Sequence, residues 1–229
     1  MKTTKKALLL TLCAVLLVVA SVLGTMAYLT SSDAVTNTFT VGNVSITLDE
    51  TDVNLMGEKD SDNRVEQNTY HLLPGHEYVK DPMVTVEKGS EESYVRMIVK
   101  INKQAELDKI FAPQGVSLDT IFAGYDEKEW KLVGQEVSDG VRSYEFRYKT
   151  TVSAPEKDVA LDALFDKIKV PGKITKEQLA TIADLKIEVE AHAIQADGFQ
   201  ATEEKTAEQV AWEAFDAQVE DAKTTTEKN

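Results

Sequence analysis

His76-Glu77-Tyr78-Val79-Lys80 is the stretch that begins most like a catalytic motif. A zinc-protease helix needs a second histidine four residues after the first, so that both imidazoles face one metal. Lys80 stands there instead, and Pro74-Gly75 before it and Pro82 after it oppose a long helix. His76 therefore reads as an exposed loop histidine beside a strand. His71 and His192 have no spacing that suggests a site, and His192 falls on the polar side of an alternating segment, where a surface position is expected. Asp60, Asp62 and Glu66 suggest a calcium loop, but Arg64 and Val65 occupy the positions where an EF-hand needs an oxygen ligand and a glycine. A solvated acidic loop is the reading, with a looser carboxylate calcium site as its alternative. The sequence has neither a G-x-S-x-G elbow nor a phosphate-cradling glycine loop. Trp130 and Trp212 read as core anchors. No catalytic, cofactor-binding or metal-ligating residue is assigned, and no enzyme is expected.

Composition agrees with that. The 229 residues carry 25 Lys+Arg against 39 Asp+Glu, a net charge of −14, which argues against nucleic-acid binding. Cys13 is the single cysteine, so no disulfide can form within the chain. Cys13 also lies too early in its apolar run, behind Leu12, to mark lipoprotein processing.

The first 27 residues read as a leader. Lys2, Lys5 and Lys6 precede an apolar run from Ala7 to Leu23, and Gly24-Thr25-Met26-Ala27 follows. Thr25 and Ala27 supply the small side chains of a signal-peptidase site, with cleavage expected before Tyr28. The alternative is an uncleaved anchor, for which the run is short. Cleavage removes three positive charges from a net −14 and leaves −17. It also removes Cys13, so the mature domain must be held by its core, by ions or by neighbours.

Most of the remaining periodicity is two. Val95, Met97, Val99 and Ile101 alternate with polar positions, as do Tyr144, Phe146 and Tyr148, and then Leu185, Ile187, Val189, Ala191 and Ala193. Antiparallel strands with one wet face are expected. Phe39 and Val41 lie in one parity and Val44, Ile46 and Leu48 in the other, so a bulge or corner is expected at Gly42-Asn43. Shorter strands are expected over Met83–Glu87, Trp130–Val133 and Leu164–Val170, with a hairpin turn at Gly140. Thr175 with Gln178, and Thr206 with Gln209, form capping boxes ahead of two helices, and a weaker helix covers Gln104–Phe111. Asp49–Glu66 reads as a long surface loop and 224–229 as a flexible tail. The domain plan is a signal peptide over 1–27, an N-terminal segment over 28–38, a β-sandwich domain over 39–223 and the tail.

Several segments in order resemble the TasA/camelysin family of exported Gram-positive proteins. They are Gly24-Thr25-Met26-Ala27-Tyr28-Leu29-Thr30 with Asn37-Thr38-Phe39-Thr40-Val41-Gly42-Asn43-Val44, then Leu73-Pro74-Gly75 through Lys80-Asp81-Pro82 to Val84-Thr85-Val86, then Tyr94-Val95-Arg96. Ala193-Ile194-Gln195-Ala196-Asp197-Gly198-Phe199 with Ala211-Trp212 completes the set. The resemblance implies a mostly β, jelly-roll-like antiparallel β-sandwich with a few inserted helices. It implies processing by a signal peptidase of the SipW type. It also implies a secreted or cell-surface place in a biofilm matrix, with fibres in which one subunit's N-terminal segment completes the sheet of the next. The camelysin branch implies a surface metallopeptidase, but without the second histidine no catalytic residue carries over.

These readings give two functional expectations and a blander third. The first is a matrix protein that forms homo-oligomers or fibres by strand addition, with accessory matrix proteins as partners. It would have no nucleic-acid partner, and would meet the membrane only through an uncleaved leader. Tyr28, Leu29 and Val35 are the apolar side chains of its assembly segment. The second is a surface metallopeptidase, and the third a monomeric surface binding domain.

Overall fold

The computed structural model describes residues 43–111 and 118–226, leaving aside the side chains of 119 and 221–226. The expected leader with Thr25 and Ala27, and the expected segment 28–38 with Tyr28, Leu29 and Val35, lie outside the described residues, as does the Phe39–Gly42 part of the expected corner.

Among the described residues twelve strands and four helices follow one another. They are β1 (Ile46–Val53), β2 (Lys59–Val65), β3 (Glu77–Val79), β4 (Met83–Val86), β5 (Ser90–Ile101), α1 (Gln104–Ile110), α2 (Leu118–Ile121), β6 (Phe122–Ala123), β7 (Trp130–Ser138), β8 (Val141–Tyr148), β9 (Val152–Ala154), β10 (Val159–Ala160), β11 (Lys167–Lys169), α3 (Lys176–Thr181), β12 (Ile187–Gln195) and α4 (Ala207–Thr226). The fold is mostly β, antiparallel and sandwich-like with a few helices, as expected. One sheet has the order β10-β4-β1-β2, a second β3-β11-β6, and the largest β12-β5-β8-β7, with β9 paired to β5.

Period two builds the largest sheet. Val99 sits between Tyr144 of β8 and Val189 of β12, and Met97 between Phe146 and Ala191. Val95, Met97, Val99, Ile101, Tyr144 and Phe146 are buried in the main core, with Ile187, Val189 and Ala191 half-buried against it. Trp130 is buried there too, its indole N–H donating to the Asp162 carbonyl at 2.9 Å. Between β7 and β8 the two-residue turn Asp139-Gly140 has φ of 51° and 75°. Positive φ at both central positions is the Asp-Gly hairpin geometry that matches strand twist. Both capping boxes form: Gln178 and Gln209 donate their backbone N–H groups to Thr175 and Thr206 Oγ1, each at 3.2 Å, and return a side-chain acceptor.

Four expectations are corrected. Asp49–Glu66 is not a loop but the β1/β2 hairpin. Its strands lack apolar alternation because polar pairs hold them: Arg64 Nε donates to Asp49 Oδ1 at 2.5 Å, and Ser61 Oγ to Asp52 Oδ2 at 2.7 Å. The strand expected over Leu164–Val170 shrinks to β11, because Leu164 and Phe165 serve as buried plugs ahead of it. Helix α4 continues to Thr226, past the Thr224 at which a frayed tail was expected. Finally, His192 is 6% exposed and not a surface residue, because α4 covers that end of the sheet's outer face.

Candidate functional site

A groove of about 560 Å³ opens where two sheets meet without pairing. Among the described residues β12 has a ladder only with β5, so its other edge is free. β1 pairs with β4 through Ile46–Asp49 and with β2 from Glu50 onward, so among the described residues its first half also has one edge without a partner. Leu48, Leu72, Ile168, Leu185, Ile187 and Val189 give the groove its apolar wall. Strand alternation explains Leu48, Ile187 and Val189, since every second residue of β1 and β12 points inward.

The polar wall is a connected network. Lys80, between β3 and β4, places Nζ 2.5 Å from Glu50 Oε2, and both residues are buried. Glu50's other oxygen accepts from Asn68 Nδ2 at 2.9 Å. Asn68 lies in the connection after β2, where its Oδ1 accepts from the Val53 backbone N–H at 3.0 Å and its Nδ2 also donates to the Thr51 carbonyl at 2.8 Å. Tyr70 donates to the Val79 carbonyl at 3.0 Å. Its hydroxyl is pushed well above the usual tyrosine range, first by burial and then by the Glu50 and Asp81 carboxylates. Behind this, Asp81 accepts from the Thr51 backbone N–H and hydroxyl and from Arg64 Nη1, at 2.7, 2.8 and 3.0 Å.

A second polar cluster lies under α4. The Arg96 guanidinium stacks 4.4 Å from the Trp212 ring and forks onto Asp216 at 2.5 and 3.2 Å. Its Nε donates to His192 Nδ1 at 3.1 Å. Burial and then the Arg96 charge push His192 down to about 4, so the imidazole is a neutral acceptor at neutral pH.

No family model matches the chain, and neither a curated protein nor a solved structure does. The site is therefore read from its own residues.

The histidines stay apart. His76 directly precedes β3, its Nε2 2.8 Å from the Met56 carbonyl and its ring edge-on to Tyr78 at 4.6 Å. The His76-Glu77 pair thus starts a strand, and His76 is half-buried where an exposed residue was expected. Asp60 and Asp62 lie on β2, where Asp62 pairs with Lys59 at 2.6 Å. Among the described residues no group of three or more His, Cys, Asp or Glu side chains is arranged to hold a metal ion. No helix there is long and apolar enough to cross a membrane. Sequence reasoning missed both polar clusters. Their members are distant in sequence, and the one available signal was polar residues at inward parity, such as Glu50 two positions after Leu48.

Proposed function

We propose that this protein is an exported structural component of an extracellular, biofilm-type matrix or cell surface, assembling by strand addition. In this reading Thr25 and Ala27 direct cleavage before Tyr28 by a SipW-type peptidase, and the freed segment 28–38 of one copy lies along a neighbour. The observation that carries the reading is the β12 edge that has no ladder partner among the described residues, beside an open, apolar-walled groove. A strand laid there gains backbone hydrogen bonds from the edge and side-chain pockets from the groove. Ten extended residues reach roughly 33 Å, enough to leave one subunit for the next. The mature charge of −17 opposes contact between copies, so salt or divalent cations favour assembly.

The test compares purified protein starting at Tyr28 with protein starting at Phe39, by electron microscopy across a range of salt and calcium. Filaments are expected from the longer form only. Equal assembly by both, or by neither under all conditions, removes the strand-addition reading.

A further inference from the structure

We propose that Lys80 and Asn68 become joined by an intramolecular amide bond, with Glu50 carrying the protons. The three side chains come from separate parts of the chain and meet in one buried network. Glu50 touches the amine with one oxygen, at 2.5 Å, and the carboxamide nitrogen with the other, at 2.9 Å. Lys80 is 7% exposed and Glu50 5%, so water competes little for either. That burial sets the trio apart from exposed ion pairs such as Lys59–Asp62.

The surroundings of Asn68 are those an acyl transfer needs. Its Oδ1 accepts from the Val53 backbone N–H at 3.0 Å, a fixed donor aimed at the oxygen where negative charge would develop. Its Nδ2 donates to Glu50 and to the Thr51 carbonyl, which orients the leaving nitrogen toward its proton source. That donor and those acceptors also fix which way the amide points.

The step balances without any co-reactant. Glu50 takes one proton from the Lys80 ammonium, leaving a neutral amine. Nζ attacks Asn68 Cγ, forming the C–N bond, and Oδ1 carries the charge of the tetrahedral intermediate against the Val53 N–H. Glu50 passes its proton to Nδ2 and accepts one from the attacking nitrogen as the Cγ–Nδ2 bond breaks, then gives that second proton to the departing ammonia and is a carboxylate again. The sum is an ammonium side chain and a carboxamide converted to a secondary amide and an ammonium ion, with Glu50 unchanged. The product ties the connection after β2 to the segment entering β4 and closes the chain from Asn68 to Lys80. A domain whose sequence contains no cysteine after Cys13 would thereby acquire a covalent staple. The inference is independent of assembly and survives its failure.

Mass spectrometry of the purified protein tests it. Trypsin cuts after Arg64, Lys80 and Lys88, so Asn68 and Lys80 fall in one segment. With the bond in place, the peptide Val65–Lys88 appears uncut at Lys80, lighter by one ammonia, and gives no backbone fragments between Asn68 and Lys80. Asn68→Ala and Glu50→Gln are expected to restore full mass and cleavage at Lys80. Asn68→Asp is expected to keep the bond with loss of water instead. Wild-type protein of full mass that is cut at Lys80 overturns the proposal, whatever the variants do. So does loss of ammonia with Lys80 still cut, which marks a succinimide at Asn68. A cross-link that persists in Glu50→Gln overturns the role given to Glu50.

Discussion

Where α4 lies over the β12-β5-β8 sheet, both faces of the sheet are buried, by different means. The inner face is an unbroken apolar layer, with Met97 and Val99 fully buried against Phe146 and Tyr144. The outer face is a charged residue enclosed by aromatics: Arg96, 3% exposed, lies between His192, Asp216, Trp212 and Phe215. One face is held by area removed from water and tolerates imperfect geometry. The other relies on one helix closing over a cation whose partners must all be present. The outer cluster of Ile194, Ala211, Trp212 and Phe215 is separate from the main core, so α4 docks as a unit of its own. The face should therefore fail by losing a helix, and the core by losing the fold.

Trp212→Ala gives the largest expected effect. It removes a 1% exposed side chain and the ring stacked on Arg96. A cost of about 3–5 kcal/mol is expected in denaturant melts. Limited proteolysis should first cut within α4 while β5 and β8 stay protected. Simultaneous loss of protection in all three would show that the two faces are one cooperative unit.

This contrast also marks what the sequence disclosed. Val95 to Ile101 and Tyr144 to Tyr148 were legible because an apolar inner face imposes period two. The Thr175 and Thr206 capping boxes were legible because their partners lie three residues away. His192 was misplaced because period two says only that it shares the polar face of its strand, and a helix beginning at Ala207 decides whether that face is wet. The β1/β2 hairpin was hidden for a related reason: Arg64 satisfies Asp49 and Ser61 satisfies Asp52 across the strands, so acidity alone looked like solvent exposure. The groove was invisible for the same cause, being defined by which strand edges lack a partner among the described residues.

Acid should sharpen the comparison next. The folded His192 is pushed down to about 4, below its ordinary 6.5. Between those values the unfolded chain binds a proton that the folded chain refuses. The stabilisation is therefore complete above pH 6.5 and is lost as pH falls toward 4, amounting to about 3 kcal/mol at most. Protonation places a second cation 3.1 Å from Arg96 Nε and abolishes the acceptor there. Carboxylates elsewhere also titrate, so the informative quantity is a difference. His192→Gln, neutral at every pH, should show a flatter decline than wild type over this window in melts taken at matched ionic strength. Parallel curves would mean that His192 does not feel Arg96 and the α4 cover.

The smallest effect tests the boundary between the faces at adjacent residues. Val99 is fully buried on the inner face of β5. Lys100 lies on the outer face, where its ammonium meets Glu190 at 2.6 Å with both side chains more than a third exposed. Val99→Ala is expected to cost about 1–3 kcal/mol through lost burial and the cavity left behind. Lys100→Ala is expected to stay within about 0.5 kcal/mol, since an exposed pair gains little over its hydrated partners and salt screens it further. Arg96, on the same face four residues earlier, has a similar charge and an acidic partner, so charge alone does not separate the two. What separates them is the cover: Trp212 and Phe215 lie over Arg96, and water reaches Lys100. A Lys100→Ala cost as large as that of Val99→Ala, measured in the same denaturant series, would place Lys100 inside the α4 dock and erase the distinction drawn between the ends of that face.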